Sequence, residues 1–126
     1  MLFRSRATLG PKVHPSTLYF SGPHGNGCAV TLREVSHLQM NDFREGNSVI
    51  LFETTTGEAP KSHIDFERLF GTPQPSAPAE HHAACADFKR AMVAAIEAGS
   101  LTLVEMQPAC GVDLLAICQS VSFADY

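Results

Sequence analysis

The sequence predicts an α+β fold in one small domain: a mixed or antiparallel sheet packed against one long helix over about 79–98, with one or two shorter helices. Three observations predict it. Cys85, Phe88, Met92, Ala95 and Ile96 recur at steps of three and four along an alanine-rich segment, the spacing of one helical face. Short β-branched or apolar runs elsewhere are bounded by glycine and proline clusters, as strands are. The chain has 126 residues, 44% hydrophobic and 17% charged, which suits a single domain over 1–126 that folds without disulfide or metal.

Taken in order, residues 1–17 hold Pro11 and Pro15 and no clear period, so a loose N-terminal arm with a short strand is expected. Leu18, Tyr19 and Phe20 read as a strand entering a glycine-rich loop. Thr31 and Glu34 match a capping box, and Leu32, Val35 and Leu38 follow helical spacing, with Phe43 as a last contact and Gly46 as a stop. This favours a helix over about 32–44. Its competitor is a strand, because Val30, Leu32, Leu38 and Met40 share one parity.

Residues 48–53 (SVILFE) are a near-continuous apolar strand, expected to be covered on both faces. The polar segment 54–61 is a loop. A short helix capped within 62–65 follows, carrying Ile64, Phe66, Leu69 and Phe70 before Gly71. Three prolines make 71–78 a stiff loop. Gly99 stands where a left-handed cap ends the long helix. Residues 101–106 and 112–121 read as strands of a hairpin about the turn 107–111, and the rest is a loose C-terminal tail.

The net charge is -4, and all of the imbalance lies in 79–126, where six acids stand against two bases. Nucleic acid is not an expected partner, since phosphate binding needs a basic surface; a protein partner with a basic face is. No run approaches the roughly 20 apolar residues of a membrane helix, and MLFRSRATLGPK lacks the apolar centre of a secretory signal. A cytoplasmic location is expected, with Cys28, Cys85, Cys110 and Cys118 reduced.

Two groups of residues are candidate sites. His81, His82 and Cys85 lie within one or two helical turns, and imidazole with thiolate is a zinc ligand set. Cys110 or Cys118 would complete it, although His81 and His82 diverge by about 100° around the helix. The loop of His24, Gly25, Gly27 and Cys28 could bring backbone amides to a ligand, but GPHGNG is neither a Walker loop nor a dinucleotide fingerprint. Cys28 with His24, His37 or His63 is the nearest approach to a thiol nucleophile and base. The pairs Glu53 with Asp65 and Glu105 with Asp113 are too generic to indicate hydrolysis.

The segment 28–53 resembles the PilZ family, in which a strand carries Asp/Asn-x-Ser-x-x-Gly and a later glycine precedes another strand. Glu34-Val35-Ser36-His37-Leu38-Gln39 keeps the serine of that motif, and no paired arginines stand before it at the expected place. The resemblance implies a β-barrel, at odds with a helix over 32–44. The family's cyclic-dinucleotide function is not carried over on one matching residue.

Two readings of function remain. The first is a non-catalytic protein-binding module of the adaptor, immunity or inhibitor type, with a strand-edge homodimer as a variant. The second is a zinc- or thiol-dependent site built on His81, His82 and Cys85 with a C-terminal cysteine. An enzyme is the less favoured of the two classes, because no catalytic motif is present.

Overall fold

The computed structural model describes residues 2–6, 16–21, 26–41, 47–110 and 113–125. Four strands come first: β1 (Leu2–Arg6), β2 (Ser16–Ser21), β3 (Gly27–Arg33) and β4 (His37–Asn41). The long strand β5 (Asn47–Thr55) leads to a short helix α1 (Phe66–Phe70) and a long one, α2 (Ala79–Ala98). The strands β6 (Thr102–Cys110), β7 (Asp113–Cys118) and β8 (Ser120–Asp125) complete a mixed α+β architecture.

Among the described residues every strand pair is antiparallel, in the order β4-β7-β6-β5-β1-β2-β3-β8. The two ends of that order are continuations of neighbouring strands: β4 follows β3, and β8 follows β7. The β3/β4 ribbon therefore lies against the β7/β8 ribbon, and the pairings run around a ring. Such a ring of antiparallel strands leaves no helix over 32–44.

One irregularity makes the ring possible. Arg33 is opposite Ser120 and His37 is opposite Ile117, so residues 34–36 face only 118 and 119. This is a β-bulge, with the extra residue on the β3/β4 side. Glu34 takes the left-handed conformation there at φ 51°. The Ser36 N–H donates to the Ile117 carbonyl at 2.9 Å, and the Gln119 N–H to the Arg33 carbonyl at 2.9 Å. The bulge absorbs a change of phase in the sequence. Inward positions are even-numbered in β7 (Leu114, Ala116, Cys118) and odd-numbered in β8, where Val121 packs on the same cluster.

The inner cluster gathers Leu18 and Phe20 from β2, Val30 and Leu32 from β3, Val104 and Met106 from β6, and the even residues of β7. The other face of β6 and β7 presents Leu103, Leu115 and Ile117 to Phe66 and Ile96 of the two helices. That is why β7 is buried at every position from Leu114 to Cys118. It is covered on both sides.

Several expectations are corrected. The helix over 32–44 is replaced by β3, the bulge and β4. The parity of Val30, Leu32, Leu38 and Met40 turns all four side chains toward one core, and that shared burial outweighs the local capping box. Phe43 and Gly46 lie outside the described residues. The N-terminal segment carries the short strand expected there, β1, whereas the expected loose tail is instead the strand β8. The strand over 112–121 is broken at Gln119, and β6 extends to Cys110 into the expected turn. The short helix begins at Phe66, where the Asp65 side chain accepts from the Glu67 N–H.

Helix α2 keeps its expected bounds, and Gly99 closes it at φ 85° in the left-handed region. The Gly57 N–H donates to the Ile96 carbonyl at 2.8 Å, tying the helix end to the loop after β5. The stripe, however, is unevenly used. Ile96 is fully buried and Met92 packs at the edge of the outer cluster, whereas Phe88 is 45% exposed. Twenty residues of helix are about 30 Å long, and from Ala79 to Ala95 every residue keeps some exposure, Ile96 alone being buried.

Candidate functional site

The site begins at the bulge. Leu38 and Met40 point inward, so His37, next to the bulge, lies on the outer side, where α1 and α2 pass over β4. Its Nδ1 is 3.1 Å from the Ser36 Oγ, which also donates to the Ile117 carbonyl at 3.3 Å. Burial lowers the His37 pKa below the ordinary imidazole value, favouring the neutral ring.

Helix α1 brings Phe70 and α2 brings Phe88 to the same place. The three rings close a triangle: His37 to Phe70 4.9 Å, Phe70 to Phe88 5.3 Å, and His37 to Phe88 5.6 Å between centroids. Phe66 stacks behind Phe70 at 6.0 Å. Helix α1 is anchored by Arg68, whose Nη1 donates to Asp113 at 2.9 Å at the start of β7. These rings are one wall of a cleft of about 480 Å³ between α1 and α2. Its α2 wall carries His81, His82, Cys85 and Lys89, and its α1 wall carries Glu67, which accepts from the Thr72 hydroxyl.

The sequence-flagged triplet is thus at the cleft. The His81 Nε2 is 3.7 Å from the Cys85 Sγ, the one polar contact within the triplet. Among the described residues no three histidine, cysteine or carboxylate groups converge as a metal shell. Cys118 belongs to the inner cluster, where burial pushes its thiol up to about 11, away from thiolate chemistry. Cys28 also packs on that inner cluster. Cys110 ends β6, and its side chain, like His24 and Gly25, lies outside the described residues. Gly27 and Cys28 open β3 instead of lying in a loop.

A second polar group stands on the outer face of β5 and β6. Glu53 and Glu105 are directly opposite; Lys61 pairs with Glu53, and the His63 Nε2 lies 2.8 Å from a Glu105 carboxylate oxygen. The bond to Glu53 holds the Lys61 ammonium above its usual range. Like charges directly opposite destabilise a ladder, so the Lys61–Glu53 ion pair has a structural purpose. Of the pairs Glu53 with Asp65 and Glu105 with Asp113, Asp65 accepts from the Glu67 N–H at the start of α1 and Asp113 accepts from Arg68 in the middle of it.

Sequence reasoning found the α2 side of the cleft and missed the aromatic side. His37 was read only as a candidate base and Phe88 only as core. The available signal was the repetition Phe66, Phe70 and Phe88 on two helical segments, with more aromatic surface than a five-residue helix can bury. No family model, curated protein or solved structure matches the chain.

Proposed function

We propose that this chain is a non-catalytic protein-binding module, and that its partner docks in the cleft between α1 and α2 with an apolar side chain flanked by carboxylates. One observation carries the reading: Phe88, 45% exposed, completes a triangle of rings at the edge of a cleft of about 480 Å³. Burying a fully exposed phenylalanine is worth roughly 1.5–3 kcal/mol, and with 45% of Phe88 still exposed a partner gains about half of that. An aromatic floor with polar groups at the rim is the layout of a binding hot spot. The rim chemistry selects the flanks. Lys89, His81 and His82 face the cleft from α2, while Glu67 on the other wall already accepts from Thr72. A carboxylate beside the anchor complements that local side, which reverses the basic-faced partner expected from the acidic excess of 79–126 as a whole.

The test uses synthetic peptides with a central Leu-Phe pair: one flanked by Asp and Glu, one flanked by Lys, and one with the phenylalanine replaced by serine. The acidic peptide is expected to shift the NMR signals of His37, Phe70 and Phe88, and the other two to bind about tenfold more weakly or worse, a difference of about 1.4 kcal/mol. Phe88→Ser is expected to weaken the acidic peptide as much while changing stability by less than about 1 kcal/mol, because the ring is half exposed. Equal binding of the three peptides, or by the Phe88→Ser protein, rejects the cleft.

The contact between His81 and Cys85 favours a second reading, in which these two residues form half of a soft-metal site. Zinc at near one equivalent in protein purified without a histidine tag, lost on Cys85→Ser, supports it; less than about a tenth of an equivalent removes it.

A further inference from the structure

We propose that β8 is the edge on which two copies of this chain join, antiparallel strand against strand. Among the described residues β8 has a ladder partner on one side only, β3, and it ends the strand order. Alternate residues of an antiparallel strand turn their N–H and C=O away from the partner, so β8 offers a row of unused backbone groups. Strand β4 ends the order on the other side, but α1 packs across it through Phe70 and His37. Among the described residues β8 has no such ring contact from a helix, and five of its six residues are exposed.

Edges of native sheets are usually blunted by lysine, proline or a bulge within the strand. The sequence SVSFAD has none of these. Instead it presents Phe123, 59% exposed although its ring meets Phe52 at 6.1 Å, and Phe52 in turn meets Phe20 at 5.5 Å in the inner cluster. Phe123 thus ends an aromatic row that begins in the core and stops at the open edge.

A second copy suits that edge better than a foreign strand because β8 complements itself. The pleat lets two copies meet with the same faces continuous when the two-fold axis passes through Ser122. Ser120 then stands opposite Ala124, Val121 opposite Phe123, and Asp125 opposite Gln119 of the other copy. No like charges meet, the small residues line one face, and each aromatic ring lies beside a β-branched side chain, a favourable cross-strand pair. The contact is isologous, so it closes at two chains and leaves no further edge of this kind.

Sedimentation equilibrium of the full chain from micromolar to several hundred micromolar tests the proposal, with hydrogen exchange read at both extremes. A mass of two chains is expected at high concentration, with exchange slowed in β8. Phe123→Lys and Ser122→Pro are each expected to weaken the dimer about tenfold or more with an unchanged circular dichroism spectrum. Where the proline variant fails to fold, Phe123→Lys decides alone. Phe88→Ser is expected to leave the dimer intact, which separates this edge from the cleft. A monomer at every concentration, or a dimer indifferent to Phe123→Lys with β8 exchanging equally fast throughout, overturns the proposal.

Discussion

His37 is held between Phe70 and Phe88, with Ser36 as its hydrogen-bonding neighbour and His81, His82, Glu67 and Lys89 around the cleft. Its lowered pKa has a definite consequence for stability. The unfolded chain takes up the proton near the ordinary value of 6.5, before the folded protein does. Stability contributed by the neutral ring is complete above that pH and is lost as pH falls through the folded pKa. Replacing His37 by Phe is therefore expected to flatten the fall of Tm between about pH 7 and 5. Following the His37 imidazole by NMR should give a midpoint below that of free histidine; a midpoint above it rejects the burial argument. The residue was visible in the sequence as a titratable group. Its surroundings were not, because Phe70 and Phe88 lie 33 and 51 positions away and are brought to it by tertiary packing.

At the level of elements, α2 was legible and β3 with β4 were not. Helix α2 is encoded locally, by alanine content, a stripe at helical spacing and a terminal glycine. What its sequence could not say is how far the stripe is used. Ile96 is fully buried against Leu103 and Ile117, while Phe88 is half open. Ile96→Ala is accordingly expected to cost about 2–5 kcal/mol, measured by urea denaturation, against a much smaller loss for Phe88→Ala. Similar losses at both positions would mean that the helix is anchored along its whole length. Residues 31–44 failed for the opposite reason. A capping box and a strand parity competed in one short segment, and only the partners of Leu32 and Met40 across the barrel decided between them.

For the whole molecule, the ring of strands depends on one extra residue. The β7/β8 ribbon changes the parity of its inward side chains between Cys118 and Val121, and the three residues 34–36 opposite accommodate that change. Deleting Val35 leaves two residues against two. A regular ladder then turns one half of the ribbon inside out, placing either Ile117 or Val121 on the wrong face. The deletion is expected to abolish the cooperative thermal transition by circular dichroism, whereas Val35→Ala, which keeps the count, retains it. A cooperative transition in the deletion would show that the bulge is dispensable.

The sequence alone determined the α+β class, the bounds of α2 and the succession of two strands after it, though not their ends, because each is written in neighbouring residues a few positions apart. It also singled out the α2 wall of the cleft. Only the tertiary structure decided the strands of β3, β4 and β8, the closure of their ladders into a ring and the aromatic wall contributed by His37, Phe70 and Phe88. Those features depend on pairings between distant segments, whose register is set by the burial of side chains that no local pattern brings together.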